Sequence, residues 1–104
     1  MIFMRLNFSG QYTMNPRMLL RRCGYAEIRT REVSYARRLG GLEYPRFHAY
    51  VEKTEGGFTV NLHLDQKRPS YGTHTAHSGE YDGELVEGEG RRIRAVIEGM
   101  RLKK

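Results

Sequence analysis

Two alternating segments joined by a turn constrain this chain more than anything else in it. Phe58-Thr-Val-Asn-Leu-His-Leu-Asp65 alternates apolar and polar residues throughout, and Arg46-Phe-His-Ala-Tyr-Val-Glu52 does the same. A period of two is the pattern of a half-buried strand. Thr54-Glu-Gly-Gly57 between them carries the composition of a tight turn, so the two segments are expected to form a hairpin. Its polar face then holds Arg46, His48, Tyr50 and Glu52 from one strand and Thr59, Asn61, His63 and Asp65 from the other.

The pairing must match apolar to apolar, because a slip of one residue turns every side chain to the wrong face. Two registers pass that test. With Glu55 and Gly56 at the tip, His48 opposes His63 and Arg46 opposes Asp65. With Gly56 and Gly57 at the tip, His48 opposes Asp65 and Tyr50 opposes His63. Directly opposed Cβ atoms lie roughly 4.5–5.5 Å apart, so either register makes His48, His63 and Asp65 neighbours.

The rest of the chain supplies what such a hairpin needs for a core. Met4 to Ser9 reads as a first strand with Met4, Leu6 and Phe8 inward. Asn15-Pro16 reads as the cap and first residue of a short helix that runs from Pro16 to Cys23 and stops at Gly24. It buries Leu19 and Leu20 and exposes Arg17, Arg21 and Arg22. Tyr25 to Leu39 reads as strand, broken or bent near Thr30, with Val33, Tyr35 and Leu39 on one face. Gly83 to about Leu102 reads as a helix whose apolar stripe is Leu85, Val86, Ile93, Val96, Ile97 and Met100. Gly88, Gly90 and Gly99 weaken it by roughly 1 kcal/mol each relative to alanine. The order β-α-β-β-β-α predicts an α+β fold of two layers: an antiparallel sheet of about four strands with two helices on one face and the other face wet.

At 104 residues the chain is expected to form one domain, residues 1–104. No apolar run reaches the length of a membrane span, and the N-terminus lacks the order of a signal peptide. The single cysteine, Cys23, excludes an internal disulfide, so a cytoplasmic location is expected. Cys23 is read as a small buried apolar residue rather than a reactive thiol. The net charge of +6 favours a nucleic acid or another phosphate-bearing partner over a neutral one, and no membrane partner is expected. Oligomeric state leaves no trace in the sequence.

Three chemistries fit the polar face. The first is a metal centre. His63-x-Asp65, His48 across the ladder, and His77 or His74 from the segment that follows would supply ligands suited to Zn²⁺. Glu80 would be the general base, so the centre would serve metal-dependent hydrolysis of a phosphate-bearing substrate. Arg46, Lys67 and Arg68 would steer the anion. The second is metal-free RNA binding, with Tyr44, Tyr50 and Tyr71 stacking on bases and the same cations holding phosphate. The third is a non-catalytic module that receives a partner protein on its open sheet.

The stretches FSGQYTMNPRMLLRRCGY, YPRFHAYVE and NLHLDQKRPSYGTHTAHSGEYDGE resemble a family of small uncharacterised bacterial proteins over most of the chain. That resemblance implies a self-contained domain and brings no activity or ligand. The order helix, three strands, helix after Asn15, with MLLRRCGY as the first helix and its exit, is similar to the double-stranded-RNA-binding fold of HicA-type toxins. Those toxins carry a Gly-Ser-His signature on the strand that follows. Here Gly40-Gly41 stands apart from His48, the one position that corresponds to its histidine. The expected centre of activity is therefore the His/Asp patch, with zinc chemistry first and RNA binding second.

Overall fold

The computed structural model describes residues 3–66 and 83–103. Its elements are β1 (Phe3–Ser9), α1 (Pro16–Arg22), β2 (Ala26–Arg29), β3 (Val33–Arg38), β4 (Arg46–Thr54), β5 (Gly57–Asp65) and α2 (Gly83–Glu98). The strands form one antiparallel sheet in the order β1-β5-β4-β3-β2.

The sheet has five strands where the alternation alone predicts about four, and the element order is β-α-β-β-β-β-α. The difference lies in residues 25–39. The expected break or bend near Thr30 is a full reversal between two strands: Arg29 pairs with Val33, and the Thr30 hydroxyl donates to the Glu32 carbonyl at 3.0 Å. No glycine, proline or asparagine marks this turn. Short side-chain-to-backbone bonds of this type close such reversals without them.

Local chemistry accounts for α1. The Asn15 side chain accepts from the Met18 amide at 2.9 Å, and Pro16 occupies the first turn. The helix ends at Arg22 with Cys23 as its C-cap, and Gly24 follows at φ +95°, a conformation glycine adopts at little steric cost. Leu19 and Leu20 are fully buried. The thiol of Cys23 is buried too, and burial pushes its pKa up to about 11.

Helix α2 lies across β1 and β5 on the inner face of the sheet. Val86, Ile93 and Ile97 meet Leu6, Phe8, Val60 and Leu62 in a single core. At Gly90 the helix comes so near the strand that a Cβ would collide with the Met4 thioether and touch Leu6. The glycine that weakens the helix thus lets it seat on β1. The helix stops at Glu98, short of the Leu102 expected from periodicity, because Gly99 and Met100 turn the chain. The tail then returns to the start of the protein: the Leu102 amide donates to Gln11 at 2.9 Å, and the Thr13 amide to Met100 at 2.8 Å.

One charge is buried where the helices meet the sheet. The Glu89 side chain, 4% exposed, accepts from Tyr25 at 2.6 Å and from Arg92 at 2.8 and 2.9 Å; Arg37 approaches to 3.4 Å. Arg92 also donates to the Cys23 carbonyl at 2.6 Å, which ties the end of α1 to α2. Burial by itself would push the Glu89 carboxyl up. The bonds from Arg92 and Tyr25 and the charges of Arg92 and Arg37 outweigh it and hold the carboxyl below its ordinary range. No helix among the described residues is long and apolar enough to cross a membrane.

Candidate functional site

Of the two registers compatible with the alternation, the hairpin adopts the one that opposes Arg46 to Asp65, His48 to His63 and Tyr50 to Asn61. Both helices lie on the opposite side of the sheet, so this face is uncovered among the described residues. Strand β1 adds Phe3 opposite His63 and Arg5 opposite Asn61. Strand β3 adds Ala36 opposite His48, which puts Ser34 on the same face, one diagonal step from the imidazole.

His48 is fully engaged. Its Nδ1 lies 2.8 Å from Asp65 Oδ2, and its Nε2 lies 2.8 Å from Ser34 Oγ. A carboxylate only accepts, so Nδ1 carries the proton; in the neutral ring Nε2 then accepts from the serine hydroxyl. The same Asp65 oxygen accepts from Arg46 Nε at 3.4 Å. Serine, imidazole and carboxylate follow one another as in a hydrolytic triad. However, Ser34 is only 4% exposed, so its hydroxyl is closed to a substrate. The relay fixes the ring and offsets the charge of Asp65.

The remaining side chains form a band of rings. Phe3, 52% exposed, stacks on His63 with centroids 5.5 Å apart and planes 20° apart. Tyr50 meets His63 edge-on at 5.8 Å and tilts over His48 at 4.8 Å. The band thus runs Phe3, His63, Tyr50, His48 across three adjacent strands. Cations border it. Arg5 donates to the Asn61 side-chain oxygen at 3.2 Å, and the Arg46 guanidinium lies 4.7 Å from the centre of the Tyr44 ring.

The expected site residues divide accordingly. Arg46, His48, Tyr50, His63 and Asp65 share one face and one neighbourhood. Lys67, Arg68, Tyr71, His74, His77 and Glu80 lie outside the described residues. Among the described residues no group of three or more histidine, cysteine, aspartate or glutamate side chains could hold a metal ion. Both nitrogens of His48 and one oxygen of Asp65 already have partners. Phe3 and Ser34 belong to the face without having been singled out. Strand parity could have found Phe3, since Met4, Leu6 and Phe8 point inward. Finding Ser34 required the β3–β4 register.

Comparison with protein-family models, with curated proteins and with solved structures finds no match.

Proposed function

We propose that the uncovered sheet face binds single-stranded nucleic acid without a metal. The observation that carries this reading is the continuous band of rings from Phe3 to His48 with Arg5 and Arg46 beside it. Bases of an unpaired strand expose flat π-faces that stack on such rings, each stack being worth about 1–3 kcal/mol. Guanidinium groups at the border neutralise the backbone. A broad sheet does not enter the grooves of a duplex in the way a helix or ribbon does, so the matching form of the polymer is the single strand. The net charge of +6 adds a long-range attraction of the same sign.

The ring band favours this reading over the zinc reading. Zinc would have to displace the Arg46 and Ser34 partners of Asp65 and His48 or draw its ligands from beyond the described residues. The test is titration of labelled single- and double-stranded oligonucleotides with the wild-type protein and with Tyr50→Ala, at several salt concentrations. Single strands should bind with an affinity that falls as salt rises, and Tyr50→Ala should weaken them by about 1–3 kcal/mol. Equal binding by the variant, or no dependence on salt, sinks the reading.

A further inference from the structure

We infer that the groove at the Glu52 end of this face selects guanine. The inference rests on the nucleic-acid reading above and adds a base preference to it. Phe3, His63 and Tyr50 line one open groove together with Arg5, Asn61 and Glu52. A base that stacks on the rings therefore brings its edge within the same recess as a carboxylate, an amide and a guanidinium.

The polar groups of that recess are not interchangeable. Glu52 is exposed and, among the described residues, its carboxylate is unpaired. A carboxylate offers two acceptor oxygens side by side and no donor. Guanine alone among the four bases presents two adjacent donors on its pairing edge, the ring N1–H and the exocyclic amine. Adenine and cytosine set one donor beside a ring-nitrogen acceptor, which a carboxylate repels. Uracil sets a single donor between two carbonyl oxygens. Asn61 completes the match: its side-chain oxygen is occupied by Arg5 at 3.2 Å, which leaves the amide N–H groups as the donors that guanine O6 needs.

A second carboxylate, Glu32, borders the same recess. Two carboxylates at one end of an otherwise basic face disfavour phosphate there. They favour the donor-rich edge of a base, while the backbone follows Arg46. The selected unit is a guanine within a single strand, held by its edge and by stacking.

The test uses short uridine-rich oligonucleotides that differ only at one central base: guanine, adenine, cytosine or inosine. Anisotropy titrations with wild-type protein should rank guanine first by about tenfold. Inosine lacks the exocyclic amine and should lose most of that advantage. Glu52→Gln, on an exposed position, should keep the fold by circular dichroism, bind all the strands, and no longer rank guanine first. Equal affinity of the wild type for every strand overturns the guanine inference and leaves the nucleic-acid reading standing, as does an unchanged preference in Glu52→Gln. Binding to none of them overturns both.

Discussion

Asp65→Asn separates the metal-free reading from the zinc reading by sign. In the wild type, Asp65 Oδ2 draws on Arg46 at 3.4 Å and on His48 at 2.8 Å. Asparagine keeps an oxygen that can accept from His48 Nδ1 but carries no charge. The exchange turns a charge-assisted hydrogen bond into a neutral one, at a cost to stability of about 1 kcal/mol, which a domain of this size tolerates. Arg46 loses the nearer of its two carboxylate partners, Glu43 remaining at 4.0 Å, and its contact with a phosphate is strengthened. A stronger phosphate contact on a single strand steepens the slope of log affinity against log salt, by at most about 0.7, the value of one full contact. Between about 200 and 50 mM salt, the variant's advantage should therefore grow, by no more than roughly 2.6-fold. Anisotropy titrations at the two salt concentrations measure this directly. Were Asp65 a zinc ligand, the same change would remove metal and any activity that depends on it. Weaker binding by the variant at low salt, or an unchanged slope, refutes the reasoning.

Two further perturbations test the scaffold. Glu89→Gln should destabilise the protein by about 2 kcal/mol in urea unfolding, because the bonds from Arg92 and Tyr25 lose their charge assistance. The folded carboxyl titrates below its ordinary 4.5, so its contribution is present above that pH and is lost as pH falls through the folded value. The wild type should lose stability on acidification below about 4.5 by an amount that the glutamine variant lacks, and parallel pH profiles count against the buried pair. Gly90→Ala sets a helix-propensity gain of about 1 kcal/mol against overpacking of the Met4 thioether and Leu6, which costs about 1–3 kcal/mol. A net loss of thermal stability is expected, relieved when Met4→Ala is combined with it. Additive effects in that double-mutant cycle would show that the helix does not rest on Met4.

The β4–β5 hairpin was legible because period-two alternation and a glycine turn both act locally, and because a buried face permits only alternate registers. The α1 boundaries were legible for a similar reason: Asn15, Pro16 and Gly24 each perform a short-range task in the structure. The β2–β3 reversal was legible only as a break or bend near Thr30, since Thr30-Arg31-Glu32 turns the chain without a glycine or proline. Gly90 was misleading in one direction only. Propensity counts it as a defect, and its benefit appears once Met4 from the far end of the sequence is packed beneath it.

The site was legible in its membership and not in its bonding. Strand parity predicted that His48, His63 and Asp65 would be neighbours, and metal ligation was the natural use for three such groups. Which partner each nitrogen takes depends on a fourth residue, Ser34, delivered by a strand whose register no local signal fixes. Once Ser34 and Asp65 hold the two sides of the His48 ring, that imidazole acts as part of the platform on which Tyr50 leans. The same argument explains Glu89. Near the start of a helix it reads as a surface carboxylate that complements the helix dipole. Its burial follows from Tyr25 and Arg37 arriving from two other places in the chain to join Arg92, one turn further along the same helix. Both cases rest on long-range pairings, with a neutralised carboxylate on the inner face and rings, cations and the exposed Glu52 on the outer one. On the proposed reading, a ligand of the outer face is recognised by stacking, charge and the polar edge at Glu52 and Asn61, with the helix side of the sheet holding that surface in place.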